Sequence, residues 1–250
     1  MIFYFSGTGN SLDAAMRIQK EDEILYNITD CIWEKKFFYE IRERESVGFV
    51  FPVYFGGLPS IVHAFLSQVK FSRTPIYTYA VLTCGGSAAG AGHMTARTLE
   101  KNGLKLDAAW TVVMPDNYIL LYEPDTEEEK MAALDKAAPV LEDIRMKVEN
   151  RILNDTRGSG KGRVLTAAMY PLYAHGRKTK KFWTDHQCVG CGTCVGRCPA
   201  KAMIMESGRP KWVKERCIHC MACIRCGAVQ YGKKTVGRYR YKNPVLKKCH

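Results

Sequence analysis

Through residues 1–120 the apolar positions fall in short runs, each closed by a glycine-rich or proline-rich turn. Met1-Ile2-Phe3-Tyr4-Phe5, Val47-Gly48-Phe49-Val50-Phe51, Ile76 to Thr83 and Ala108 to Val113 are each long enough for a buried strand, and a weaker run lies at 24–27. Between them the period changes from continuous to helical. Leu12, Ala15, Met16 and Ile18 share a helix face, Ser60 is placed to cap a helix over 61–69, and a third helix is expected to end near Lys101. Alternating strands and helices predict an α/β fold with a doubly wound parallel sheet over residues 1–155. Residues 126–153 supply its last long helix, opened by Thr126 and Glu127-Glu128-Glu129 at the positive end of the helix dipole, with Pro139 as a candidate kink.

In such sheets ligands lie beyond the carboxyl ends of the strands. Three expected loops leave strand ends of that kind: Ser6-Gly7-Thr8-Gly9-Asn10-Ser11, Pro52-Val53-Tyr54-Phe55-Gly56-Gly57 and Cys84-Gly85-Gly86-Ser87. The first joins a strand to a helix, where free N–H groups and the dipole favour an anion, and Ser6, Thr8 and Ser11 can add hydroxyl donors. It matches neither the dinucleotide nor the nucleoside-triphosphate loop, and no lysine follows it. A monophosphate fits best, with a flat ring held between the second and third loops. The plain alternative is a turn in which glycine and serine only cap a helix.

Eight of the eleven cysteines lie in one stretch near the C-terminus: Cys188-x2-Cys191-x2-Cys194-x3-Cys198-Pro199, then Cys217-x2-Cys220-x2-Cys223-x2-Cys226. The first run is the bacterial ferredoxin pattern, in which three closely spaced thiolates hold one [4Fe-4S] cluster and the fourth reaches across to another. The second run departs from it in its last gap, and no proline follows Cys226. The expected sets are Cys188, Cys191, Cys194 and Cys226 on one cluster and Cys217, Cys220, Cys223 and Cys198 on the other. Zinc is the alternative for paired C-x2-C knuckles, but it does not require the third cysteine at the same interval. No export signal opens the chain, so reduced thiols in the cytoplasm are expected rather than disulfides. Cys31, Cys84 and Cys249 read as ordinary free thiols.

The 6–11 loop resembles the flavodoxin phosphate loop, and the 52–57 and 84–89 loops resemble the two that flank the isoalloxazine. With the cysteine runs behind them, the chain is similar to the EFR-type ferredoxin family, a flavodoxin-like domain fused to a small α+β ferredoxin domain. Residues 114–118, 170–173 and 230–234 look like recurrent segments of that family. The resemblance implies FMN and two [4Fe-4S] clusters. It divides the chain into a flavodoxin-like domain at 1–155, a linker and helical extension at 156–183, a ferredoxin domain at 184–235 and a basic tail at 236–250. The linker centres on residues 154–163. Residues 164–174 are too short to span a bilayer and read as an extension packed on one of the modules.

Charge is unevenly divided. Residues 177–250 carry 18 lysines and arginines against 3 acids, within a chain of net charge +12. Anionic clusters account for part of this excess. Arg238-Tyr239-Arg240-Tyr241-Lys242 and Lys247-Lys248 suit a solvated tail, a dock for an acidic redox partner or, less readily, single-stranded nucleic acid. The expected function is electron transfer between clusters and flavin, which needs no catalytic residue. The alternative is a flavin-dependent reductase of a small organic acceptor, with His63, His93, Tyr54, Asp116 and Tyr118 as possible neighbours of the ring. The sequence leaves oligomeric state open.

Overall fold

The computed structural model describes residues 1–156, 158–238 and 240–248. Cys249, and the parts of the linker and tail at Arg157 and Tyr239, lie outside the described residues, as do the side chains of Lys247 and Lys248.

The first half runs β1 (Ile2–Tyr4), α1 (Asn10–Ile18), β2 (Leu25–Asn27), α2 (Ile28–Glu34), β3 (Phe38–Tyr39), β4 (Ser46–Pro52), α3 (Ser60–Leu66), β5 (Lys70–Phe71), β6 (Tyr77–Cys84), α4 (Ala91–Lys101), β7 (Ala108–Val113) and α5 (Glu127–Glu149). Five strands form one parallel sheet in the order β2-β1-β4-β6-β7, while β3 and β5 pair separately. Leaving out that small pair, the order is 2-1-3-4-5, the flavodoxin-like winding, with its switch point between β1 and β4.

Continuous apolar runs are needed because both faces of this sheet are covered. Phe3, Phe49, Phe51 and Leu82 point to one core with Val62 and Phe65 of α3, while Ile2, Val50 and Val81 point to the other with Ala14 and Ile18 of α1 and Leu141 and Ile144 of α5. Thr126 and Glu129 bond reciprocally to start α5, which passes through Pro139 as one helix.

Residues 154–163, expected as linker, contain the start of another helix, α6 (Gly160–Gly176), capped by the Ser159 hydroxyl accepting from the Gly162 amide. It continues through Pro171 because tertiary contacts hold it. The Tyr170 hydroxyl donates to Leu58 O at 2.8 Å and the Tyr173 hydroxyl to Ile218 O at 3.2 Å. The extension therefore packs on both halves rather than on one.

The C-terminal half consists of β8 (Phe182–Thr184), α7 (Thr193–Gly196), β9 (Met203–Glu206), β10 (Arg209–Trp212), a 3-10 turn (Ile224–Cys226), β11 (Val229–Tyr231) and α8 (Val245–Lys248). β8 pairs antiparallel with β11, and β9 with β10. These short ribbons surround a small core of Phe182, Cys194, Cys198, Met203, Ile224 and Val229, to which Ile119 and Leu120 of the first half also belong. Conversely, Ile218, Cys220 and Ala222 are buried in the first half's core with Phe5, Phe51 and Leu58. The halves are not beads on a tether; each completes the other's interior. No helix among the described residues is long and apolar enough to cross a membrane.

Candidate functional site

The loops that follow β1, β4, β6 and β7 converge on one pocket. Its walls include Ser6, Gly7, Thr8, Asn10 and Ser11, then Pro52, Val53, Tyr54, Phe55 and Gly56, then Cys84, Gly85, Gly86 and Ser87. Tyr54, Asp116 and Tyr118, named as possible neighbours of a ring, line it too. His63 and His93 do not. Both line another depression, between α3 and α4, because those helices turn them away from the strand ends. The histidine that does line the pocket is His219, from between two cysteines of the second run.

The 6–11 loop is built from its own polar groups. The Gly9 amide donates to Ser6 Oγ at 3.1 Å, and Ser11 Oγ pairs with Thr83 Oγ1 at 2.8 Å. Asn117 Nδ2 donates to Thr8 Oγ1. Ser11 is thus engaged with its own sheet, while Ser6 and Thr8 accept here and retain hydroxyl hydrogens to offer. Gly9 caps α1 with φ 106° and no side-chain bond to the first helical amides. An uncapped helix start opening on a pocket fits a phosphate monoester.

The tail's close approach is itself a reason for glycine at position 9. A Cβ there would lie 2.7 Å from Asn243 Cβ and 2.9 Å from Leu246 Cγ. The C-terminal tail runs over this loop from outside. The Asn243 amide donates to Thr8 O at 2.9 Å, and Asn10 Oδ1 accepts from the Tyr241 hydroxyl at 2.6 Å and Asn243 Nδ2 at 3.1 Å. Arg238 bonds the carbonyls of Ile119 and Tyr122 and pairs with Glu123, and Arg240 donates to Thr235 O at 2.9 Å. These arginines, expected as candidates for docking a partner, instead bind the chain's own loops.

In the second loop, Phe55 at φ 51° and Gly56 at φ 73° make a tight turn closed by reciprocal Tyr54–Gly57 backbone bonds. A left-handed phenylalanine is strained. Its ring is held edge-on to Tyr118 at 5.5 Å and stacked on Tyr173 at 5.9 Å, which offsets that cost. The second and third loops are tied together by Thr166 of α6, which accepts from the Gly90 amide at 2.8 Å and donates to Gly56 O at 2.6 Å.

The cysteines form two electrostatic neighbourhoods. Cys198 raises the thiol pKa values of Cys217, Cys220 and Cys223 after the larger effect of burial, and Cys226 and then Cys188 raise that of Cys194 in the same way. Cys198 of the first run thus acts on the second run, and Cys226 of the second run acts on Cys194 of the first. Cys223 also feels Cys194, so the two neighbourhoods adjoin. Burial pushes Cys217 up to about 11 and Cys220 up to about 12. Thiols so placed ionise at neutral pH when a metal holds the thiolate. Donors are aimed at the sulfurs: the Ala202 amide reaches Cys198 Sγ at 3.3 Å and the His219 amide reaches Cys217 Sγ at 3.4 Å. Among the described residues no three His, Cys, Asp or Glu side chains form a group that could hold a single metal ion. The donor set, its burial and its amide bonds fit thiolate-bound clusters.

Pocket and cysteines share a wall. A Cβ on Gly7 would lie 2.1 Å from Cys220 O and 3.2 Å from Cys220 Cβ, so the first loop rests on the backbone of a cysteine from the second run. His219, only 5% exposed, faces the pocket between Cys217 and Cys220. Its Nε2 lies 3.2 Å from Lys178 O and must donate there, so Nδ1 accepts from the Tyr118 hydroxyl at 3.3 Å. Nothing in its local sequence marks His219 as a pocket residue; only its place between two cysteines of a candidate cluster could have drawn attention to it.

Comparison with known proteins gives a partial match. Residues 181–226 match the 4Fe-4S dicluster domain family. A search of curated proteins finds no match to the chain. Among solved structures, the Trp repressor binding protein of Bacillus subtilis is 14% identical, covering 56% of this chain and 97% of its own, with a TM-score of 0.34. A flavoprotein of Lactobacillus acidophilus, solved in complex with FMN, is 16% identical over 44% of this chain and 90% of its own, TM-score 0.32. An FMN-dependent NADH-azoreductase of Bacillus anthracis, also solved with FMN, is 9% identical over 59% and 98%, TM-score 0.33. Those likenesses are too distant to carry an argument, and the winding of the sheet carries it instead. The chain joins a flavodoxin-like α/β half to a 4Fe-4S dicluster domain, the arrangement of the EFR-type ferredoxins that it resembles.

Proposed function

We propose that the chain transfers electrons between two [4Fe-4S] clusters and an FMN held within it. The observation that carries this reading is the shared wall, where Gly7 abuts Cys220 and His219 faces the pocket. The first cluster would be held by Cys188, Cys191, Cys194 and Cys226, and the second by Cys198, Cys217, Cys220 and Cys223. The phosphate would lie at residues 6–11 and the ring between the loops at 52–56 and 84–87. Bound there, the clusters would exchange single electrons and the flavin one or two. The protein's part is to keep the second set of thiols dry and to hold them against the phosphate loop.

Iron, acid-labile sulfide and FMN are to be measured on one sample after anaerobic reconstitution. About eight iron, eight sulfide and one FMN per chain are expected. Stoichiometric zinc without sulfide would sink the cluster assignment, and flavin-free protein that does not take up FMN would sink the other.

The tail supplies a separate check. Tyr241→Phe with Asn243→Ala removes both side-chain donors on Asn10 Oδ1. Each bond contributes about 1 kcal/mol net, so FMN affinity is expected to fall on the order of tenfold, with iron content unchanged. Fluorescence titration measures it, and unaltered affinity would show that the tail does not order the phosphate loop.

A second reading, reduction of a small organic acceptor, is favoured by the mouth of the pocket, where Leu121 is 51% and Tyr122 57% exposed. Turnover with such acceptors by the fully loaded protein tests it.

A further inference from the structure

The eight cysteines differ sharply in their access to solvent. Cys191 and Cys226 are exposed, whereas Cys194, Cys198 and Cys220 are buried. Cys191 belongs to the first run by sequence and Cys226 acts on Cys194 of that run, whereas Cys220, against the Gly7 loop, belongs to the other grouping. Beside Cys191 stands Val189, 85% exposed, the most exposed of the large apolar side chains among the described residues. The loop that carries it is firmly seated. Gly190 is left-handed at φ 70°, and a Cβ there would lie 2.6 Å from Gly208 O, so the loop rests on the turn of the β9–β10 hairpin. Arg209, exposed, follows that turn at once.

The acids of this half offer little opposition. Asp185 is bonded to the Gln187 amide and to Gln230 Nε2, and Glu206 is paired with Lys211 at 2.7 Å. The remaining acid, Glu215, stands against the other lysines and arginines of a segment with 18 of them. Protein interfaces that exchange electrons are small, with an apolar centre and a charged rim. An apolar tip on a rigid loop, with an exposed thiol and an exposed arginine beside it, has that form. The tail does not: Arg238 and Arg240 are bound to the chain's own loops.

We propose that the face formed by Val189, Cys191 and Arg209 docks an acidic one-electron carrier protein, making the first cysteine set the chain's external redox terminal. This rests on the cluster reading above. One electron leaves the carrier, which is oxidised by one unit, and the loaded chain is reduced by one; no proton or bond changes hands.

The test uses the full chain with clusters loaded and a negatively charged [2Fe-2S] ferredoxin as probe. Binding is measured by titration calorimetry with both proteins oxidised, and reduction by stopped flow. Val189→Asp with Arg209→Glu is compared with Lys233→Glu and Lys234→Glu, a pair of exposed lysines outside this face. The first pair is expected to weaken binding and slow reduction about tenfold or more at low salt, and to flatten the salt dependence, as loss of steering does. The second pair should change both far less. Equal losses from both pairs would overturn the proposal, since attraction would then be a property of net charge. So would unchanged binding in the first pair, or displacement of the ferredoxin by single-stranded DNA from this face at similar concentration. Reduction by dithionite and iron content report separately on the clusters: normal values with unaltered ferredoxin binding remove the docking face alone, whereas absent iron removes the cluster reading itself.

Discussion

Gly7→Ala is expected to cost the protein its flavin and destabilise its second cluster together. The added Cβ would meet a backbone carbonyl, Cys220 O, at 2.1 Å, and backbone cannot rotate aside as a long side chain can. Overpacking of this kind costs about 1–3 kcal/mol or more. The strain falls on the phosphate loop and on a cysteine whose carbonyl and Cβ it touches. Gly176→Ala is the control: that glycine lies at the end of α6, outside the pocket, and its Cβ would meet nothing within 4 Å. Anaerobic iron and flavin analysis of the two variants should show both cofactors depleted in the first and near-native content in the second. Depletion of flavin with full iron in Gly7→Ala would mean that the contact with Cys220 does not couple the sites.

Cys198→Ala and Cys226→Ala should have opposite consequences despite sitting at equivalent ends of the two runs. Cys198 acts on Cys217, Cys220 and Cys223, and Cys226 acts on Cys194, so each variant should damage the cluster built mainly from the other run. Each should lose up to about four iron per chain, or about one where a three-iron form survives. Only Cys198→Ala should perturb the flavin spectrum and abolish electron exchange between flavin and the remaining cluster, because its neighbours Cys217 and Cys220 flank His219 at the pocket wall. Cys226→Ala should leave the flavin signal native and impair reduction by an external carrier. Electron paramagnetic resonance of the reduced variants distinguishes the clusters. If Cys226→Ala keeps a full iron complement, Cys226 is not a ligand, consistent with its unusual spacing and its exposure.

The contacts that make these predictions specific also replace the picture of two tethered modules. Flavin and cluster exchange should be independent of protein concentration, but the reason is a shared interior rather than a flexible linker. Ile218, Cys220 and Ala222 lie in the first half's core, and Ile119 and Leu120 in the second's.

Much of the first half was legible along the chain. Runs such as 47–51 and 76–83 became β4 and β6 because a strand buried on both faces must be apolar throughout, and that requirement is local. Their alternation with amphipathic helices was enough to predict a doubly wound parallel sheet, while its flavodoxin-like order was implied by the resemblance. The cysteine intervals predicted a dicluster domain for a similar reason: ligands only two residues apart must meet the same object, so spacing alone carries geometry.

What required tertiary structure was every contact between segments distant in sequence. Residues 160–176 look like linker and a proline-broken stretch, yet hydrogen bonds from Thr166, Tyr170 and Tyr173 to carbonyls of both halves make them one helix. The tail looks like a solvated basic arm, yet Tyr241 and Asn243 are buried over Asn10. His219 lines the pocket while His63 and His93 do not, since a side chain's destination depends on how two halves pack. Periodicity and spacing record what a residue's near neighbours in sequence require of it. They hold no record of a carbonyl more than a hundred residues away, and it is such partners that bring the 6–11 loop, the second cysteine run and the tail to one wall.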